Sequence, residues 1–197
     1  MRATAPIRSA LVGAALAAAA LLASAGGALA SAAHDGPTGV RLDALYALER
    51  HDGGRLARPD VRGRPFVLVF GYTHCPEVCP TSLLDVSSLL DALGEEGARL
   101  GAYFVTIDPE RDTVETLDDY LGAFHPRIVG LTGAPPAVAE TADAFGATAA
   151  RRPVGDTYAM DHSASFYFVD RYGLLARIVP YADREGARDA ALRLLAQ

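Results

Sequence analysis

Both cysteines of this 197-residue chain lie in "FGYTHCPEVCPTSLLDV", residues 70–86, as Cys75 and Cys79, with three residues between them and a proline after each. Thiols so close serve as a disulfide staple, a redox pair or a metal site. A staple works mainly by closing a loop in the unfolded chain, and its benefit grows with loop length. Joining Cys75 to Cys79 closes a very small loop and gains little, so the pair is read as chemistry. Thiolate is the form that ligates metals or attacks disulfides, and a helix N-terminus favours it through partial positive charge and free N–H groups. Soft sulfur ligands favour Cu(I), zinc or iron–sulfur clusters, and imidazole adds copper or zinc. Two thiolates cannot close a tetrahedral structural site, so a metal here needs a further ligand.

Five histidines are candidates for it. His34 falls in a polar lead and His51 in a first hairpin, and both read as solvated. His125 ends a helix before Pro126, where it complements the dipole. His74 adjoins Cys75, and neighbouring side chains diverge in an extended segment. His162, in "AMDHSASFYFV", stands in an irregular loop just before an apolar strand. Pattern alone favours an ordinary loop residue there, since loops hold idle polar groups as well as functional ones. Asp161 is placed to orient His162 or to turn the loop, and Met160 offers a soft thioether that reads as core.

The elements that must position these residues alternate. "VRLDALYALERHDGGRLARPDVRGRP" turns through Asp52-Gly53-Gly54 and predicts a short β-hairpin. "PFVLVFGY" (65–72) is a continuous apolar run suited to a buried parallel strand, and the cysteines follow it at once. Leu83, Val86, Leu90 and Leu93 recur at helical spacing. That helix is expected to begin at Pro80, which is tolerated only in a first turn, and to stop at Gly94. "RLGAYFVTI" (99–107) and "RIVGL" (127–131) predict further strands. In "DPERDTVE" Asp112 and Glu115 resemble a capping box for a helix carrying Val114, Leu117, Leu121 and Phe124. "PPAVAETADAFG" predicts a helix, "ATAARRPVGDTYAMDHS" an irregular stretch, and "ASFYFV" with "LLARIVP" a hairpin around Asp170–Gly173. A last helix over about 184–196 is capped by Asp183. This order implies an α/β sandwich with helices on both faces, whose ligand site lies beyond the carboxyl ends of the strands.

"FGYTHCPEVCP", "IDPERDT" and "DHSASFYFVDRYG", in this order and at these distances, resemble the Sco/SenC family of thioredoxin-fold copper proteins over residues 40–197. The resemblance implies a thioredoxin-like sandwich with a central mixed sheet and an added N-terminal β-hairpin. It implies that Cys75, Cys79 and His162 together hold one copper ion, as Cu(I), Cu(II) or both. The implied role is maturation of the copper A centre in subunit II of cytochrome c oxidase, or of another respiratory copper site, by copper delivery, by reduction of that centre's cysteines, or by both. Another periplasmic copper chaperone is a further candidate partner.

Competing readings share parts of the pattern. A general thiol–disulfide oxidoreductase would use Cys75 and Cys79 as a redox pair. Thioredoxins, however, place two residues between their cysteines and a cis-proline before the facing strand, where this chain has three residues and "DHSASFYF". A peroxiredoxin is disfavoured because Thr73 stands two rather than three positions before Cys75. A sensor would need the same site as a chaperone. Zinc with three ligands and water would be catalytic, and no general base is evident beside it.

Residues 1–30 read as a signal peptide: Arg2 and Arg8 precede the apolar "LVGAALAAAALLA", and "ALA" at 28–30 ends in small residues. An uncleaved anchor is the alternative, since no charge falls between Arg8 and Asp35. Residues 31–39 form a flexible lead to a single domain. Export to the periplasm or cell-envelope space follows, with membrane attachment only through an uncleaved leader. The net charge of −6 and the absence of any basic block exclude nucleic acid as an expected partner.

Overall fold

The computed structural model describes residues 38–197; the leader and His34 lie outside them. Strand β1 (Thr38–Gly39) precedes a 3-10 helix (Leu42–Ala47), β2 (Glu49–Arg50) and α1 (Arg58–Val61). The core alternation follows as β3 (Phe66–Gly71), α2 (Val78–Gly97), β4 (Gly101–Thr106), α3 (Val114–Leu121), β5 (Ile128–Thr132) and α4 (Pro135–Ala144). Then come β6 (Ala149–Val154), β7 (Thr157–His162), β8 (Ser165–Val169), β9 (Leu174–Pro180) and α5 (Arg184–Leu195).

The main sheet has the order β1-β9-β8-β3-β4-β5-β2. Strands β3, β4 and β5 run parallel, while β8, β9, β1 and β2 join antiparallel, so the sheet is mixed as expected. Every residue of β3 and β4 is buried, which is what an uninterrupted apolar run between two layers achieves. Alternate side chains face opposite layers. Phe70 meets Phe145, just beyond α4, with ring centroids 5.8 Å apart. Phe104 meets Tyr120 of α3 on the other side, and Gly130 there admits Leu117 and Leu121. Helices thus cover both faces. Among the described residues, no helix is long and apolar enough to cross a membrane.

Three expectations are corrected. The N-terminal hairpin shrinks to a tight turn at Asp52–Gly54, closed by a single bridge between Glu49 and Arg55. Its flanks become the 3-10 helix and α1, because Leu42 and Leu45, three apart, and then Val61 bury themselves as helical anchors. Thr38 and Gly39, at the end of the expected lead, pair with Leu175 and Leu174. The stretch read as irregular is an ordered antiparallel hairpin, β6–β7, turning through Gly155 at φ +57°. β6 is exposed throughout and β7 only partly buried, so they lack the apolar alternation by which strands are recognised.

Helix α2 begins at Val78, two residues before Pro80, which leaves proline within the first turn where no N–H is needed. Gly94 breaks the helix, as expected. It takes φ +53°, a conformation open to glycine, and the chain re-enters a last turn that reaches Gly97.

Candidate metal centre

The parallel strand β3 delivers the chain to the carboxyl edge of the sheet, and the cysteine loop bends there into α2. Helix α2 has no side-chain cap of the ordinary kind. Instead the Cys79 N–H donates to Cys75 Sγ at 3.3 Å, so a sulfur occupies the place of a capping oxygen. Cys79 is 1% exposed, in the first turn of α2, and both cysteines are free thiols. Its sulfur fits only because residue 71 is glycine: a Cβ there would lie 2.8 Å from Cys79 Sγ and 2.7 Å from Phe104.

A buried carboxylate braces the loop from below. Asp112 accepts from the Thr73 N–H at 3.0 Å, from Thr73 Oγ1 at 2.6 Å and from Thr106 Oγ1 at 2.6 Å. The capping expectation for Asp112 is therefore corrected: Thr113 caps α3 by accepting from the Thr116 N–H, and Asp112 turns inward, fully buried. Acid and threonine stand side by side in "RDT", and either can cap a helix, so pattern could not choose between them.

His162 closes β7 and brings its Nε2 to 3.5 Å from Cys79 Sγ. Its Nδ1 stands 3.0 Å from the Ser163 carbonyl. A carbonyl only accepts, so Nδ1 carries the proton and Nε2 presents its lone pair. Of the two readings open for Asp161, the structure shows no contact with His162: its carboxylate pairs across the hairpin with Arg152 at 3.1 Å. Tyr72 meets the His162 ring edge-on, at 6.0 Å and 87°. Met160 packs against the core as expected.

Sγ of Cys75, Sγ of Cys79 and a ring nitrogen of His162 lie within 4.8 Å of one another. Two metal–sulfur bonds of about 2.3 Å span roughly 4.6 Å, so one soft ion fits with little adjustment. His74 stays with Thr73, 3.1 Å from its hydroxyl, and faces solvent. His51, read from sequence as solvated, instead stands 3.2 Å from Asp118 with its side chain only 18% exposed. His125 accepts from the Arg127 N–H and approaches Asp91, tying a turn rather than complementing a helix end.

The two thiols differ sharply. Hydrogen bonding from the Cys79 thiol, aided by His162 and by the Cys79 and Glu77 N–H groups, pulls Cys75 down from 9.0 to about 4, against burial. The same bond, with burial, pushes the Cys79 thiol far up. For His162 burial opposes the charge, but the Cys75 sulfur and the Ser163 carbonyl outweigh it and leave the ring above 6.5. Cys75 is thus drawn toward thiolate and Cys79 held toward thiol, beside an imidazole drawn toward its charged form.

Fold and site together define a thioredoxin-like α/β protein with a two-sulfur, one-nitrogen centre at the sheet's carboxyl edge. The SCO1/SenC family model matches residues 35–197, and the chain belongs to that family. It is 37% identical over 133 residues to "Protein SCO2 homolog, mitochondrial" of Danio rerio, covering 66% of this chain and 48% of that protein. It is 34% identical over 126 residues to "Protein SCO1 homolog 1, mitochondrial" of Arabidopsis thaliana, covering 63% of this chain and 38% of that one. The chain thus spans less than half the length of either relative. Among solved structures, Bradyrhizobium japonicum ScoI with copper bound is 34% identical, with a TM-score of 0.70, over 81% of this chain and 98% of that one. Yeast Sco1 with copper bound is 27% identical, with a TM-score of 0.68, over 83% and 88%.

Proposed function

We propose that this protein carries one copper ion on Cys75, Cys79 and His162 and delivers it during assembly of the copper A centre of cytochrome c oxidase. The observation that carries the reading is the convergence of two sulfurs and an imidazole whose other nitrogen is engaged by Ser163. Cys₂His is a soft set suited to three-coordinate Cu(I), with room for an incoming ligand from the acceptor. The copper-bound relatives named above support the choice of metal. Copper is the cargo here: the thiolates retain it while His162 yields its place to a ligand of the recipient. Residues 1–30 act as a leader for export to the periplasm or cell-envelope space. There a second copper chaperone supplies the ion, and subunit II of the oxidase receives it.

The test is an anaerobic Cu(I) competition titration against a chromophoric chelator, using reduced protein and His162→Ala. One copper per chain, bound at least about tenfold more weakly in the variant, a difference of about 1.4 kcal/mol, is the expected result. Failure of both proteins to compete would refute the ligand assignment.

One observation favours a second reading. The Cys75 thiolate beside a protonated Cys79 is the asymmetry of an attacking and a resolving thiol. Cys75 would attack a disulfide in the oxidase copper site, forming a mixed disulfide and releasing one target thiolate. Cys79, losing its proton, would then displace the second target thiol and leave a Cys75–Cys79 disulfide, two electrons having passed to the target. Reduction of an oxidised peptide bearing the copper-site cysteines, abolished by Cys75→Ser, is the measurement that would establish it.

A further inference from the structure

Among the described residues, strands β6 and β7 pair only with each other, and every residue of β6 is exposed. His162 therefore rides on an arm that no strand of the main sheet holds. At the base of the arm the Thr148 N–H donates to Ser163 Oγ at 2.9 Å, and the Ser163 N–H donates to the Thr148 carbonyl at 3.1 Å. Farther out, Met160 packs against the core, Arg151 pairs with Glu110, and Tyr158 ties the arm to the β4–α3 connection. The Tyr158 hydroxyl donates to Asp108 at 2.9 Å, and Arg111 Nη1 donates to the Tyr158 carbonyl at 3.2 Å.

The guanidinium of Arg111 lies 3.8 Å from the Tyr158 ring centroid, and that of Arg151 lies 3.9 Å from it. Two such groups cannot share one face at that distance, so the ring is sandwiched between them. Asp108 balances Arg111, and Glu110 balances Arg151 at 2.7 Å. Arg111 also stands 5.7 Å from the ring of Tyr72, which is the ring that meets His162 edge-on. A continuous row thus runs from the arm through Tyr158, Arg111 and Tyr72 to His162.

We propose that Arg111 and Tyr158 form a clasp that holds the β6–β7 arm, and with it His162 Nε2, over the cysteine sulfurs. Opening the clasp detaches this one ligand and leaves the sulfurs in place. Arg111 and Tyr158 are positioning residues, acting through His162. On the arm's side these contacts are few, one hydroxyl bond, one backbone carbonyl and the stacked ring of Tyr158, which suits a fastening that opens and recloses. The cysteine loop has its own brace in Asp112 and meets the clasp through Tyr72. The consequence for copper rests on the ligand reading proposed above; the clasp itself is testable without metal.

The experiment is amide hydrogen exchange on the reduced, metal-free protein. Tyr158→Leu and Arg111→Gln should each speed exchange of the β7 amides at least about tenfold, with β3 and α2 unchanged. Tyr158→Phe keeps the sandwiched ring and should retain most of the protection. Arg152→Ala, on the same arm but outside the clasp, should change nothing. Unchanged β7 exchange in both clasp variants would overturn the proposal, and so would equal acceleration across β3 and α2.

A second measurement follows Cu(I) release to excess chelator. Tyr158→Leu should hasten release about tenfold in the parent protein and not at all in a His162→Ala background, because the missing ligand leaves nothing to position. An effect that persists without His162 would refute action through that residue. If the parent protein binds no Cu(I), the ligand reading falls, and the exchange measurement still decides the clasp.

Discussion

The cysteine segment is held from every side. β3 feeds it, α2 fixes Cys79, Gly71 makes room for the sulfur, and the buried Asp112 ties Thr73 to the end of β4. The histidine arm is its opposite: two strands that, among the described residues, pair only with each other and are fastened by Met160, ion pairs and stacked guanidiniums. Under the proposed function, the difference teaches how one centre can bind a soft ion and still give it up. On the proposed ligand set, two ligands are part of the folded core, and the third belongs to an arm outside the main sheet.

The contrast breaks most directly at the brace. Asp112→Ala leaves the Thr73 N–H, the Thr73 hydroxyl and the Thr106 hydroxyl without their acceptor. At roughly 1 kcal/mol or more for each orphaned group, about 3 kcal/mol of stability should be lost in urea unfolding of the reduced protein. A loss below about 1 kcal/mol would show that the loop does not depend on this carboxylate. Gly71→Ala is next. Its methyl would meet Phe104 and Cys79 Sγ inside van der Waals contact, and overpacking of this kind costs about 1–3 kcal/mol. The same variant should weaken Cu(I) binding, because the sulfur must move; unaltered affinity would mean that Cys79 has slack the packing denies.

The pH dependence sharpens the contrast within the site itself. With Cys75 lowered from 9.0 to about 4, its thiolate stabilises the folded state fully above pH 9, progressively less as pH falls, and not at all below about pH 4. His162, raised, acts in the other direction: its charged form contributes fully below its ordinary value and is lost as pH rises through the raised one. Thiolate absorbance of the metal-free protein should therefore appear near pH 4 with the amplitude of one sulfur, and iodoacetamide in mild acid should label Cys75 and spare Cys79. His162→Ala should move that transition upward. A single two-thiol transition near pH 9 would contradict the assigned asymmetry.

The sequence made the buried half legible and left the exposed half obscure, for a physical reason. Apolar runs such as "FVLVFG" and the spacing of Leu83, Val86, Leu90 and Leu93 report burial, so β3 and α2 could be placed to within a few residues. The motif cysteines followed from that placement. "AARRPV" and "TYAMDH" bury little, so nothing marked them as strands, and His162 had only its family resemblance to distinguish it. The brace and the clasp were hidden for another reason. Asp112 and Arg111 lie in a segment whose turn and capping chemistry already accounted for every residue, and only the fold brings Thr73 and Tyr158 to them.

The smallest expected effect is also the most discriminating for the arm. Asp161 adjoins His162 and would be the natural residue to orient it, yet its carboxylate is 60% exposed and pairs with Arg152, itself 56% exposed. Exposed pairs of this kind contribute well under about 1 kcal/mol. Asp161→Asn should accordingly leave both stability and Cu(I) affinity nearly unchanged, because the Ser163 carbonyl, a backbone group, fixes the imidazole. A tenfold loss of Cu(I) affinity in Asp161→Asn would mean that the carboxylate turns inward when metal binds. The arm would then reshape itself around its ligand instead of presenting it ready-made, and its difference from the rigid cysteine segment would extend from how the ligand is held to how it is formed.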